Sequence, residues 1–377
     1  VTRSGRFHLF DSFSLRHMDF LLLFLVLALN IIGICAIGSA APELRIRQIQ
    51  GTVVSLVLML LISSLDYHRF LKYRWVWYGL SLALLLAVKL FGSSGNGAQR
   101  WVSIAGIRFQ PSEFTKILMI LFYAGLIMKF RDKMKTWPVV LALAALAGPP
   151  IALVFAQPDL STSIMIFIII CVMMFVGGLS WKLVAGVLLV SVPAVLVVFN
   201  MILQEGQTLV TPYQRGRVLS WLHPELYEDT LAYQTMNSMM AIGSGQLMGK
   251  GYNTNEISSL LNSGYISESQ TDFIFTVIGE ETGFIGTTTV VVLIALIAVR
   301  CMVTAVHAKD TAGMVIAAGV AAWIGFQGFI NIGVVTGVLP NTGLPLPFVS
   351  YGLTSLLCLY SGIGFVLNVR MQSKKRG

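Results

Sequence analysis

Apolar residues along the chain fall into ten runs separated by short polar or charged breaks, at roughly residues 18–38, 50–65, 75–91, 113–129, 137–156, 160–178, 181–202, 273–300, 311–337 and 348–369. Most approach the roughly 20 helical residues that cross about 30 Å of hydrocarbon. The pattern predicts an all-α polytopic membrane protein with ten transmembrane helices. The first run follows Arg3, Arg6 and Arg16 and is long enough to span, so it is expected to stay as a helix; no cleavable signal peptide is visible. No repeat of solenoid type interrupts the pattern. Residues 1–377 therefore read as a single integral-membrane domain, with residues 203–272 forming a large loop between the seventh and eighth helices.

Composition supports this reading. Hydrophobic residues make up 56% of the chain and charged residues 11%, against roughly 25% charged in soluble domains. The net charge of +9 would suggest nucleic acid, but its distribution points elsewhere. With both termini on the cytoplasmic side, 17 of the 26 Lys and Arg residues fall in cytoplasmic segments, among them Arg69, Lys72, Lys129, Lys133, Lys309 and Arg370. That is the positive-inside signature of topology, and no nucleic-acid partner is expected. The four cysteines lie in or beside apolar runs and imply no disulfide framework. The five histidines form no metal-binding spacing.

In this topology the outer side carries three elaborate features: a Gly- and Ser-rich loop at 92–112, the long segment 203–272, and "GVLPNTGLPLPFVSYG" at 337–352. Within the long segment, "EDTLAYQTMNSMMAIGSG" reads as a helix from about Asp229 that ends at Gly243 and Gly245. Every even-numbered span begins on this side, so its positive dipole end faces outward. That arrangement permits phosphate binding without requiring it.

Ionisable residues inside spans mark function by default. Glu113 and Lys116 open the fourth span at i and i+3. They read either as an ion pair that orients the helix or as a cation held ready for an anionic headgroup. Asp159, in "AQPDLSTS", caps the sixth span or lines a polar cavity with Glu113 and Lys116. The segment "SESQTDFIFTVIGEETG" at 267–283 holds Glu268, Asp272, Glu280 and Glu281. With Asp272 as the first residue of the eighth helix, Glu281 lies about 13 Å below it, near mid-membrane. Asp272 at the outer mouth reads as an N-cap carboxylate or as a general base.

Five segments, "GAQRWVSIAGIRFQPSEFTKI", "QPDLSTS", "AIGSGQLMGKG", "TDFIFTVIGEETGFIG" and "GVLPNTGLPLPFVSYG", occur in an order that resembles the bacterial shape, elongation, division and sporulation (SEDS) family, which includes RodA, FtsW and SpoVE. "TGLPLPFVSYG" and "QPDL" are more similar to RodA than to FtsW. The resemblance spans nearly the whole chain. It implies ten transmembrane helices in the bacterial cytoplasmic membrane and a glycosyltransferase that polymerises lipid II into peptidoglycan on the outer face. A class B penicillin-binding protein, a transpeptidase, is the implied partner. The family's essential aspartate matches Asp272, its fourth-helix Glu and Lys match Glu113 and Lys116, and its QPD aspartate matches Asp159. The chain departs from the family pattern at Ser161, Asn237, Gln246 and Leu353. None of these departures removes a carboxylate.

Glycosyl transfer then needs a base for the acceptor 4-hydroxyl and stabilisation of a departing pyrophosphate. Asp272 is the expected base. Glu113, Lys116, Asp159, Arg215, Arg217, Lys250 and Ser350 are the expected substrate-binding residues. A carboxylate beside a pyrophosphate makes a hard-oxygen site suited to a divalent cation such as Mg or Mn, although no motif demands one. A flippase for a lipid-linked precursor is the competing reading, with Glu280 and Glu281 as a relay. A noncatalytic scaffold for a partner enzyme is a third reading, and it would tolerate Asp272→Asn.

Overall fold

A computed structural model describes residues 18–95, 98–104, 107–204, 212–227, 230, 232–253 and 269–373. Among these, ten helices of 17 residues or more coincide with the ten apolar runs: α1 (Phe20–Ala40), α2 (Pro42–Ser64), α4 (Arg74–Phe91), α5 (Pro111–Phe130), α6 (Trp137–Phe155), α7 (Leu160–Val176), α8 (Trp181–Leu203), α11 (Ile274–Val306), α12 (Thr311–Val335) and α13 (Leu353–Met371). Three shorter helices, α3 (Tyr67–Lys72), α9 (Pro212–Leu222) and α10 (Tyr233–Ser244), lie between them. Among the described residues, seven helices, α1, α2, α4, α6, α11, α12 and α13, are long and apolar enough to cross a membrane. The molecule is a polytopic helical membrane protein.

The core lies where α5, α12 and α13 meet. These helices are buried along most of their length, whereas α2 and α4 expose broad apolar faces suited to lipid. Neighbours pack as α2 on α13, α4 on α5, α11 on α12 and α1, and α7 on α12. Four segments depart from the sequence expectation. Within 92–112, β1 (Ser93–Gly95), β2 (Ala98–Ile104) and β3 (Ile107–Phe109) pair as a three-stranded antiparallel sheet rather than a plain loop. Phe109 leaves that sheet stacked on Phe114 at 4.6 Å between ring centroids, which seats the sheet on the first turn of α5. Helix α2 begins eight residues before its apolar run, because Pro42 at its first position and Glu43 in its first turn favour a helix start. The tenth run contributes helix only from Leu353, since "FVSYG" is irregular. The eighth run is broken: Gly283 has φ +62° and ψ −157° inside α11.

One end of the bundle gathers the sheet, α9, α10 and the 336–352 loop; this is its loop face. The opposite face is closed by polar clasps near the helix ends. Asp19 caps α1 through Leu22 and pairs with Arg300 Nη2 at 2.6 Å. His68 sits between two carboxylates: its Nδ1 is 2.8 Å from Asp66, and its Nε2 is 2.6 Å from Asp310. Asp310 also caps α12 through Gly313 and accepts from Tyr67 Oη at 2.9 Å. Gln372 of the segment after α13 donates to Asp66. The clasp thus joins α3, α12 and the end of α13.

Burial alone would lower the His68 pKa, but the two flanking carboxylates outweigh it and hold the imidazole above its ordinary value. Burial raises Asp66, but the hydrogen bonds from His68 and Gln372 together with the charge on His68 hold it below its ordinary value. For a group whose native pKa is raised, stability is full below the unfolded value of 6.5 and is lost as pH rises through the native value. The lowered Asp66 contributes above its unfolded value and loses that contribution as pH falls through its native one. The melting temperature of the wild type in mild detergent is therefore expected to exceed that of His68→Gln most clearly below pH 6.5, with the gap shrinking as pH rises. A gap that widens with pH would contradict the clasp.

Candidate functional site

The loop face is built around an irregular segment, residues 340–352, that packs among helices. Irregular backbone at membrane depth is tolerated only where its polar groups are satisfied within the protein. Five carbonyls of this segment accept from helix side chains. Ser161 Oγ donates to Thr342 O at 2.7 Å, Asn331 Nδ2 to Leu344 O at 2.7 Å, and Gln327 Nε2 to Pro345 O at 2.8 Å. Asn30 Nδ2 donates to Phe348 O at 2.9 Å, and Gln48 Nε2 to Ser350 O at 3.4 Å. Helix α1 approaches so closely at Gly33 that a Cβ there would lie 2.6 Å from Val349 Cα.

This segment positions Asp272. Three consecutive carbonyls leading into α11 are clamped: Tyr351 N–H donates to Gln270 O at 2.9 Å, Ser350 Oγ to Thr271 O at 2.6 Å, and Asn331 Nδ2 to Asp272 O at 2.8 Å. Ser350 Oγ in turn accepts from Leu346 N–H at 2.7 Å. Asp272 is half-buried, in a turn before Ile274, so it is not the first helical residue as expected. Its carboxylate rests against the turn at Gly343 (φ +72°), where a Cβ would lie 3.2 Å from Asp272 Oδ2.

One turn away along α12, Gln327 joins the same wall to the fourth-span pair. Lys116 Nζ is 2.6 Å from Glu113 Oε1 and donates to Gln327 Oε1 at 2.8 Å. It lies 4.9 Å from the centroid of the Trp323 ring, and Trp323 Nε1 donates to the same Gln327 oxygen at 2.8 Å. Lys116 and Glu113 are both fully enclosed, and Glu113 Oε2 is buried with no hydrogen-bond partner among the described residues. The Glu113–Lys116 pairing common to both sequence readings is formed, inside the protein. Asp159 is buried and caps α7 through Thr162 N–H at 3.2 Å.

The break at Gly283 explains the two deep glutamates. Segment 245–251 docks against it: Lys250 N–H donates to Glu280 O at 2.9 Å, Gly251 N–H to Glu281 O at 3.0 Å, and Phe284 N–H to Gln246 O at 2.8 Å. A Cβ at Gly283 would lie 2.4 Å from Gly249 N, and its positive φ also favours glycine. Lys250 Nζ pairs with Glu280 Oε1 at 2.8 Å, while Glu281 Oε1 accepts from Ser39 Oγ and from Asn253 N–H at 3.2 Å. Lys250 is thus held by a protein carboxylate. Arg215 Nη2 donates to Leu203 O at 3.0 Å, and Arg217 lines a small cavity with Trp221, Met236, Met239 and Asn341. Glu268 and Asp229 lie outside the described residues; α10 itself runs Tyr233–Ser244, close to the predicted helix. Among the described residues, no group of three or more His, Cys, Asp or Glu side chains is placed to hold a metal ion.

Residues 11–375 match the family model for cell cycle proteins of the FtsW, RodA and SpoVE type. The chain belongs to this family. Peptidoglycan glycosyltransferase MrdB of Escherichia coli K12 is 36% identical over 366 residues, covering 95% of each chain. A probable peptidoglycan glycosyltransferase FtsW of Enterococcus hirae is 35% identical over 380 residues, covering 96% of this chain and 94% of its own. A chain of a peptidoglycan synthase complex that coordinates polymerization and crosslinking superposes with a TM-score of 0.77 at 31% identity, covering 94% of this chain and 97% of that one. The crystal structure of Thermus thermophilus RodA superposes at 0.68 with 29% identity, covering 94% and 96%. This FtsW/RodA/SpoVE chain therefore shares the family fold along nearly its full length.

Sequence reasoning searched the spans for charges and so missed Asn30, Gln48, Gln327 and Asn331. For Asn30, Gln327 and Asn331 the signal was present, an uncharged amide inside an apolar run that needs a buried partner; Gln48 lies in the polar opening of α2, where nothing marks it. The enclosed pair yields a prediction. Breaking a buried ion pair from one side typically costs about 3–5 kcal/mol. Lys116→Met and Glu113→Gln are each expected to destabilise the protein by about that amount, with the double variant losing clearly less than the sum. Denaturation of the four proteins in one detergent checks this; additive losses would contradict the pairing.

Proposed function

We propose that this chain is a peptidoglycan glycosyltransferase that polymerises lipid II, with Asp272 as the general base. The observation that carries the reading is the half-buried Asp272 at the loop face, its main-chain carbonyl clamped by Asn331 and its carboxylate against the Gly343 turn, in a chain whose relatives are named for this activity. Asp272 takes the proton from the acceptor 4-hydroxyl as that oxygen attacks the anomeric carbon of the donor sugar. The bond from that carbon to the lipid-linked pyrophosphate breaks, and the pyrophosphate leaves with the electron pair.

The loop face is the outer face of the cytoplasmic membrane in this reading, and both termini are cytoplasmic, with all ten long helices spanning. The Lys and Arg bias supports this orientation. The two arginines of α9, Arg215 and Arg217, are assigned to the second substrate, and Ser350 and Asp159 to the walls that shape the site. Lys116, held by Glu113, supplies positive charge from within the wall rather than at its surface. A divalent cation at Asp272 would take that carboxylate and pyrophosphate oxygens as ligands and would supply charge neutralisation for the leaving group. The partner is a class B penicillin-binding protein, in keeping with the synthase complex among the structural neighbours. The RodA-like motifs favour a role in elongation and cell shape over division.

The flippase reading loses its relay, because Glu280 is tied to Lys250 and Glu281 to Ser39 and Asn253. The expected result is glycan strands from purified lipid II with the wild-type chain and its partner, and activity reduced by at least about 10² with Asp272→Ala. Equal polymerisation by both would remove Asp272 as base. Translocation of labelled lipid across vesicles without polymerisation by the wild type would replace the enzyme with a transporter.

A further inference from the structure

Asn331 is one of the buried amides that the reaction as written above does not use. Its side chain is 1% exposed, on α12 just before that helix ends at Val335. Its amide has two N–H bonds, and both are committed: one to the carbonyl of Asp272 at 2.8 Å, the other to the carbonyl of Leu344 at 2.7 Å. Two carbonyl acceptors fix which end of the amide carries nitrogen, since a flipped amide would face oxygen to oxygen. The remaining atom, Oδ1, is buried with no partner among the described residues.

The two carbonyls belong to the two walls that define where the base sits. One is Asp272's own. The other follows directly on Gly343, against which the Asp272 carboxylate rests. Ser350 and Tyr351 hold the preceding residues, Thr271 and Gln270, but neither bonds to Asp272's carbonyl. Among the described contacts, the amide of Asn331 is the bridge from the base residue itself to the turn its carboxylate faces.

We propose that Asn331 is a positioning residue for catalysis, a two-pronged donor that sets the distance between Asp272 and the Gly343 turn and so fixes where the carboxylate meets the acceptor hydroxyl. The inference rests on Asp272 being the base. A misplacement of about 1 Å costs on the order of 10² in rate when geometry is what the residue supplies, and such a loss falls on kcat because substrate binding uses other contacts.

The test uses the full chain co-purified with its transpeptidase partner and purified lipid II as substrate. Asn331→Leu removes both donors at similar volume, whereas Asn331→Ser keeps a single hydroxyl donor in case the first variant folds poorly. Melting temperature and partner co-purification report the folded fraction. The expected result, per folded complex, is a fall in kcat of at least about tenfold for Asn331→Leu and a smaller fall for Asn331→Ser. KM should stay within about twofold of wild type, and the acid limb of the pH–rate profile should shift. Wild-type kcat in both variants would overturn the proposal. So would a loss of activity that merely tracks the loss of folded complex, with an unmoved pH profile. Asp272→Ala assayed alongside separates the two ideas: if it stays active the base assignment has failed, and if it is dead while both Asn331 variants keep wild-type kcat only the positioning role has failed.

Discussion

Everything on the loop face depends on how a non-helical stretch of backbone is kept satisfied among membrane helices. A carbonyl without a partner in an apolar setting costs several kcal/mol, so the 340–352 segment persists only because α1, α2, α7 and α12 supply side-chain donors to it. Each donor is a short, uncharged side chain, which avoids the desolvation penalty that a Lys or Arg would bring to the same place. The approach to Asp272 is held with this segment: it bonds the carbonyls of Gln270 and Thr271, and Asn331 of α12 bonds that of Asp272. A catalytic carboxylate is most useful when its surroundings are fixed before the substrate arrives.

The same principle governs the broken helix. At Gly283 the α11 ladder is interrupted, and the Gly-rich turn 245–251 supplies and receives the missing backbone bonds. Glu280 and Glu281 are then anchors: one neutralises Lys250 of the docked turn, and the other ties the turn to the end of α1 through Asn253 and Ser39. Two acidic side chains that look wasteful in an apolar helix are what fasten a long loop to the bundle. The loop's helix α10 lies against α11 and α12, and Ser238 donates to Val335 O at 3.0 Å. The loop and the active wall thus share their supports.

The ten apolar runs were legible because hydrocarbon thickness imposes a length that composition alone reveals. The charged and turn-forming motifs were legible because such residues are rare in spans and cluster at this face. The β1–β3 sheet was not: β1 is Ser-Ser-Gly, β3 is only three residues long, and β2 lacks the alternation that signals a half-buried sheet. The kink at Gly283 was hidden because the glutamates before it drew attention to charge and the apolar run continues after it; the backbone conformation is set by the docking of a segment some 35 residues away in sequence. Lys116 read equally well as a ligand and as a structural cation; its enclosure by Glu113, Gln327 and Trp323 becomes visible only in the fold. Asn331 carries no charge and joins no motif by spacing, so its role emerges only from the two carbonyls it reaches.

The central claim is that the clamped Asp272 meets the acceptor sugar at the loop face. A structure of the full chain with its transpeptidase partner and lipid II, trapped on Asp272→Asn, tests it most directly. The account predicts the acceptor 4-hydroxyl within hydrogen-bonding reach, about 3 Å, of the residue 272 side chain, with the 340–352 segment still held by its five helix donors. Lipid II bound with that hydroxyl remote from residue 272, or a 340–352 segment released from those donors on binding, would contradict it.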